Sequence, residues 1–408
     1  MTQMPASAQH RRITENVLKL VPELPGPRLR LTEEFCLYPD RAMTFPEQLA
    51  PYCRLPSGNW FHYLPDTSYA ELYRYHTIDA QGHCRRACPF ANANHDAAMP
   101  AFLHYFDRSS TMLRDGNETE AMKYLGVLLH VLQDACFGVH ALEGPGGCDL
   151  FFFDRLGISD FSPAAKLAQL DCLDIPDATG EARSLGNSVP EAALRLYSRY
   201  CRTVRAARKS CVEILISCRN GENTAQEKRA DMYRNAVRLC ADATATVLHL
   251  AQCRRHAPEP FPVTELEPYE PPLGGNGAYR FRSLEENCCY TGSGRQPLAF
   301  PEMNFRSGLS FGLSVSGQNL LYHLPAGLFG HFSGYLLLTG APEAQVKCRI
   351  LNNAAEIQFF ELNRNYPLRQ LNVSEPSGIF GLHAESDAPD GIMILGDAQF
   401  CAGRFAVG

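Results

Sequence analysis

His130 and Asp134 stand four residues apart in a mostly apolar run, Tyr124-Leu-Gly-Val-Leu-Leu-His-Val-Leu-Gln-Asp-Ala-Cys-Phe-Gly-Val-His140. On a helix that spacing puts an imidazole and a carboxylate on one face, one turn apart. Neither group is stable in an apolar interior unless it pairs or binds a cation. A divalent metal satisfies both at once, and mixed imidazole and carboxylate ligation suits zinc. His140 ends the run as a further donor. The segment predicts a metal site inside a helical bundle.

The elements that must hold these groups follow from periodicity. Apolar residues recur at helical spacing over 13–20, 97–113, 118–139, 190–218 and 225–250, so residues 1–256 read as all-α. Between the first helices lies a long irregular stretch, 64–94, of the kind that forms a lid or rim. Repeated prolines then mark an extended linker over 257–275. Beyond it, short apolar or alternating runs at 308–315, 334–338, 345–351, 357–362, 379–382 and 391–395 are divided by turn residues. That pattern predicts an all-β sandwich over 276–408. The expected fold class is therefore two domains, a helical bundle followed by a jelly-roll sandwich.

Composition bounds the rest. A chain of 408 residues exceeds one typical domain, and its 45% apolar content is ordinary for a globular protein. A formal charge of -6 gives no electrostatic case for a stable nucleic-acid complex. No run reaches the roughly 18 apolar residues that span a bilayer, and the first twenty residues lack the core of a secretory signal. The expectation is a protein without a transmembrane segment, cytoplasmic or, after loss of a leader, secreted. Sixteen cysteines, twelve of them before residue 257, are scattered along the helices, which suits buried thiols and a reducing compartment. His104 and His249 read as hydrogen-bonded structural residues.

Three further groups precede the central motif in order: His10, Asp40 in Leu37-Tyr-Pro-Asp-Arg41, and His62 in Asn59-Trp-Phe-His-Tyr63. Together, Tyr-Leu-Gly-x3-His-x3-Asp-x5-His and these residues resemble the zinc-dependent phospholipase C superfamily. That superfamily takes in bacterial phosphatidylcholine-hydrolysing enzymes, the alpha-toxins and, by shared fold and ligand order, the fungal single-strand-specific nucleases. The resemblance runs over residues 1–255. It implies that Asp40, His62, His130 and Asp134 hold one Zn2+. It implies a second at Asp134 and His10, and a third begun by His140 and joined by Asp154. Two departures stand out. Leu150 occupies the place of the family's third-site histidine, with Asp149 as a substitute donor, so the count is two zincs or three. The family's mature amino terminus is a ligand a few residues before the first histidine, whereas Met1 lies nine before His10.

The implied activity is phosphodiester hydrolysis of the phospholipase C kind. Metal-activated water attacks phosphorus, with Asp40 as general base and Asp134 bridging. Two alternatives share the residues: a single-strand-specific nuclease or nucleotidase with the same cluster, and an inactive metal-binding domain beside a glycan-binding β module. Arg41 stands where the phosphatidylcholine enzymes place an aromatic ring against choline, and a guanidinium favours an anionic group instead. Choline is therefore not the expected head group. Trp60 and Phe61 supply the remaining aromatic surface, for substrate or for a stacked base.

The C-terminal part is similar to galactose-binding-type jelly rolls, most of all the NPCBM family. The resemblance rests on Ser307-Gly-Leu-Ser-Phe, Tyr322-His-Leu-Pro-Ala-Gly-Leu-Phe-Gly-His-Phe-Ser-Gly-Tyr335, residues 346–351 and Ile392-Met-Ile-Leu-Gly-Asp-Ala-Gln-Phe400. It implies a glycan partner; the alternative is a rigid positioning module whose aromatics Tyr322, Phe332 and Tyr335 fill the core.

Overall fold

The computed structural model describes residues 5–42, 44–56, 98–136, 143–144, 147–148, 177, 179–220, 225–252, 260–269, 271–272, 284–301, 303–341, 343–388 and 390–402. It divides into two units, Met1–Arg254 and Arg255–Gly408.

In the first unit the described elements are helical except for a two-residue ladder of β1 (Glu143–Gly144) and β2 (Gly147–Cys148). The helices are α1 (Pro5–Leu20), α2 (Arg28–Glu33), α3 (Tyr38–Ala42), α4 (Pro46–Cys53), α5 (Ala98–Arg114), α6 (Glu118–Cys136), α7 (Val189–Arg219) and α8 (Ala225–Gln252). A 3₁₀ turn, Phe35–Leu37, runs into α3. Helix α6 is the centre of the unit. Its Ala121, Met122, Leu125, Val127, Leu128, Leu129, Val131 and Leu132 are all fully buried. A helix apolar on every side has no face for water and is surrounded by its neighbours. Here α1, α5, α7, α8 and the 3₁₀ turn pack against it.

Local chemistry sets the helix ends. Gly116 closes α5 at φ +76°, and the Asn117 N–H reaches back to the Met112 carbonyl at 2.8 Å. That is a Schellman ending, which a left-handed glycine allows. It turns the chain within three residues into α6, so α5 and α6 pack as a hairpin. Ser188-Val-Pro-Glu191 opens α7: the Ser188 hydroxyl accepts from the Glu191 N–H, and the Glu191 carboxylate accepts from the Asn187 N–H. The expected helix 13–20 begins earlier, at Pro5, where proline suits the first turn, and this carries His10 into the second turn of α1. No described helix is long and apolar enough to cross a membrane.

The second unit is an antiparallel β-sandwich. One sheet has the order β11–β10–β13–β8, from Ala355–Leu362, Val346–Asn352, Gly378–Ser386 and Gln318–Leu324. The other has the order β12–β9–β14–β7–β4, from Leu368–Ser374, Phe329–Thr339, Ile392–Ala402, Gly308–Gly312 and Glu285–Glu286. A small hairpin of β5 (Cys289–Thr291) and β6 (Gly294–Gln296) joins neither ladder but packs on the second sheet, with Cys289 against Leu337, Ile392 and Ile394. Between the sheets, Phe332, Phe380 and Phe400 meet with ring centroids 4.8–5.4 Å apart. Tyr322 and Phe332 are buried, and Tyr335 packs at the edge of a satellite cluster with Phe305. Tyr322 and Phe332 thus fill the core, while Tyr335 is partly buried.

The stretch expected as linker differs. Phe261–Pro262 forms β3, paired with Gln399 and Phe400 of β14, and Phe261 is fully buried against Phe329. Prolines stop a helix, but they do not stop a two-residue edge strand that needs few N–H donors.

Candidate metal centre

Three parts of the helical unit meet around Asp134. His10 comes from α1, Asp40 from α3, and His130 and Asp134 from consecutive turns of α6. The Asp134 carboxylate stands between the two imidazoles: Oδ1 is 3.1 Å from His10 Nε2 and Oδ2 is 3.1 Å from His130 Nε2. The two rings stack at 4.0 Å with 18° between their planes. Asp40 Oδ1 lies 3.7 Å from His130 Nε2. One donor atom each of His10, Asp40 and His130 falls within 4.8 Å of the others.

Both imidazoles have Nδ1 engaged by a hydrogen-bond partner. His130 Nδ1 is 2.7 Å from the Cys36 carbonyl oxygen, and His10 Nδ1 is 2.8 Å from Gln133 Oε1. Gln133 in turn places its Nε2 3.1 Å from the Thr14 hydroxyl. A backbone carbonyl oxygen only accepts, so His130 Nδ1 carries the proton and its Nε2 presents a lone pair to Asp134; with Gln133 Oε1 turned toward it, His10 takes the same tautomer. Lone pair then faces carboxylate oxygen at 3.1 Å twice over, an arrangement that needs a cation between the groups. Protonating one Nε2 relieves one contact. Protonating both would stack two imidazolium ions at 4.0 Å, a repulsion of about 4 kcal/mol at an effective dielectric of about 20. A divalent ion relieves both.

The donor set fits zinc. Bonds of about 2.0–2.2 Å in a tetrahedron place ligand atoms roughly 3.3–3.6 Å apart. The separations here are 3.1, 3.1 and 3.7 Å. Imidazoles whose Nδ1 protons are engaged by carbonyls are the usual form of ligating histidine. Burial pulls the His130 pKa down, but the charges of Asp134 and Asp40 outweigh it and the net shift is upward. The same negative field attracts any cation. Two nearby thiols are buried, and burial pushes Cys36 up to about 12 and Cys240 also upward.

Access is one-sided. His10, His130 and Asp134 are buried, while the Asp40 side chain keeps a quarter of its surface exposed. Asp40 therefore stands on the rim, reaching both the cluster and solvent, with Arg41 beside it and partly exposed.

The reason the chain can come this close lies at Gly126, one helical turn before His130. A Cβ there would stand 2.6 Å from the Phe35 carbonyl carbon and 2.7 Å from its oxygen. Only glycine lets α6 touch the backbone of the 3₁₀ turn, and that contact delivers the Cys36 carbonyl to His130.

Of the residues expected at the site, the structure brings His10, Asp40, His130 and Asp134 together. Sequence reasoning missed Gln133, Thr14 and the function of Gly126. Two signals were available: Gln133 is a polar residue in an apolar helix, and Thr14 follows His10 by one turn. Trp60, Phe61, His62, His140, Asp149 and Asp154 lie outside the described residues. His249 is structural, 2.9 Å from Asn187 Oδ1.

No protein-family model and no curated protein matches the chain. Among solved structures, the alpha toxin from Clostridium absonum is 9% identical, over 97% of this chain and 94% of that one, with a TM-score of 0.36. The M60 catalytic domain with CBM51-1 and CBM51-2 domains of ZmpB from Clostridium perfringens is 16% identical, with a TM-score of 0.28. That match covers 34% of this chain and only 15% of the other. CBM51-2 of the same protein, solved in complex with GlcNAc and with INT domains, is 13% identical over 35% of this chain and 32% of that one, with a TM-score of 0.28. All three TM-scores lie under 0.5, and nothing about activity follows from them.

Proposed function

We propose that the helical unit is a zinc-dependent phosphodiester hydrolase of the phospholipase C kind. One observation carries this reading: two stacked, buried imidazoles, each with Nδ1 hydrogen-bonded, turn Nε2 to the two oxygens of one buried carboxylate. His10, Asp40, His130 and Asp134 would hold the metal, with Asp134 shared between ions. His62, His140 and Asp154 complete the set on the sequence resemblance. Bound zinc supplies Lewis acidity toward a phosphoryl oxygen and acidifies water.

The chain's own residues do the rest. Gln133 and the Cys36 carbonyl fix the two imidazoles. Asp40, on the wet rim of the cluster, accepts the proton of the attacking water at its carboxylate. Arg41 adjoins Asp40 and favours an anionic head group over choline. The sandwich unit serves as the glycan-binding or positioning module.

Elemental analysis of the purified chain is the first test, with zinc expected in the wild type and lost in His130→Ala. A wild type without zinc, or a variant with unchanged zinc, ends the proposal. Hydrolysis of phosphatidylglycerol and phosphatidylinositol vesicles is expected to exceed that of phosphatidylcholine. Turnover of single-stranded DNA alone would transfer the same centre to a nuclease. Full zinc without turnover of lipid, DNA or a chromogenic phosphodiester would leave only a binding domain.

A further inference from the structure

The two imidazoles of the centre are held by partners of different kinds. His130 Nδ1 faces the Cys36 carbonyl, which belongs to the backbone and only accepts. His10 Nδ1 faces the side-chain amide of Gln133, one end of which accepts while the other donates. The far end of that amide lies 3.1 Å from the Thr14 hydroxyl, and a hydroxyl does both. Gln133 also borders the Cys240 thiol, a weak donor and a weak acceptor. His10, Thr14 and Gln133 are buried, so bulk water does not make good a mismatch among them.

The geometry closes these groups into one chain. His10 and Thr14 stand one turn apart on α1, and Gln133 and Asp134 are neighbours on α6. The His10 ring spans the pair on α6: Nδ1 is 2.8 Å from Gln133 Oε1, and Nε2 is 3.1 Å from Asp134 Oδ1. With Gln133 Oε1 toward the ring, His10 Nδ1 carries the proton and His10 Nε2 offers a lone pair, as a metal ligand must. Turning the amide end for end about its last bond exchanges its oxygen and nitrogen and leaves the other heavy atoms in place. Gln133 Nε2 then donates to His10 Nδ1, and the Thr14 hydroxyl donates to Gln133 Oε1. The imidazole proton sits on His10 Nε2 and is donated to Asp134 Oδ1. Each of these contacts is satisfied in the second polarity as well, with no change of charge. His130 has no such alternative, because a carbonyl cannot donate.

We propose that Gln133 is a positioning residue that switches His10 between a metal-ligating tautomer and a tautomer that donates directly to Asp134. The first of these states rests on the zinc reading; the second does not. The switch makes the two histidines unequal. His130 is a standing ligand, whereas His10 ligates only with the amide oxygen toward its ring. An ion that uses His10 competes with the second polarity and is the more weakly held.

The test is NMR of the histidine ring nitrogens in the full chain, which tells Nδ1–H from Nε2–H; the His10 signals are those absent from His10→Gln. At neutral pH the chelator-treated wild type is expected to carry the His10 proton on Nε2, and the zinc-loaded wild type on Nδ1. Gln133→Glu, whose carboxylate only accepts, is expected to keep the proton on Nδ1 in both. Zinc titration against a chromophoric chelator gives a second reading. Gln133→Met keeps the length of the side chain and loses both ends of the amide. It is expected to weaken the looser zinc by about 10–100-fold, the usual penalty for losing a partner of a ligating histidine, and to leave the tighter zinc unchanged. Two results overturn the switch alone: zinc uptake by a wild type that keeps Nδ1–H on His10 after chelation, or a Gln133→Met chain that holds both ions as the wild type does. A chain that takes up no zinc defeats the metal reading and the switch with it.

Discussion

The two units fill their centres with opposite materials. In the sandwich, Phe332, Phe380 and Phe400 close on one another, and Phe261, Phe329 and Tyr322 complete the layer. Such a core is stable by burial alone. The helical unit wraps its central helix in leucine and valine, then places His130, Gln133 and Asp134 on it, all buried. Burying those groups is costly until a cation completes them. The lesson is where to look for chemistry: a centre that apolar packing would have stabilised better holds polar groups because they do something else.

The sharpest way to break the contrast is to remove one residue from each centre. Asp134→Ala deletes both oxygens that face the imidazoles, and zinc is expected to fall to background by elemental analysis. Phe400→Ala in the sandwich is expected to cost about 3–5 kcal/mol by calorimetry while zinc per chain stays unchanged. If Phe400→Ala also released zinc, or Asp134→Ala retained it, the two centres would not be distinct in kind.

How much of this was legible in the sequence follows the same division. Helices α5 to α8 were readable because their apolar residues recur over many turns, and His130 and Asp134 because charges in such a run demand a partner. The strands β8 and β12 were not. Strand β12 buries only Leu371 and Val373, and β8 opens on Gln318-Asn319, so neither shows clean alternation. Within the site, the Cys36 carbonyl was invisible in principle: every residue has one, and only the fold selects which reaches His130. Gly126 was visible as a letter in the motif, but its reason is the backbone it touches.

That contact gives a second, smaller comparison. Gly126→Ala and Gly396→Ala insert the same methyl group. The first would place Cβ 2.6 Å from Phe35 backbone, the second 2.3 Å from the Phe305 ring. Each is expected to cost about 1–3 kcal/mol as overpacking. Only Gly126→Ala should also weaken zinc, by about 10–100-fold, the usual penalty for disturbing a partner of a ligating histidine. Competition with a chromophoric chelator measures it. Equal zinc affinity in the two variants would mean that the Cys36 carbonyl does not govern His130.

The smallest effect is one of pH, and it separates the units by sign. In the metal-stripped chain a proton on His130 takes the place of the cation beside Asp134. Burial opposes that proton, but Asp134 and Asp40 favour it more, so the folded pKa is raised above its ordinary 6.5. A group raised on folding contributes stability that is complete below its unfolded pKa and disappears as pH climbs through the folded one. The stripped helical unit should therefore lose thermal stability on going from about pH 6 to about pH 9. With zinc bound the slope should reverse at its acid end, because protons displace the metal from imidazole and carboxylate. In the sandwich Glu385, hydrogen-bonded to His383, has its pKa lowered. Its contribution is present above the ordinary 4.5 and is lost only as pH falls through the lower folded value, outside that range. Calorimetry with and without zinc reads all three. A helical transition with the same slope in both states would remove His130 from the metal, since the ion and the proton could then not be sharing one nitrogen.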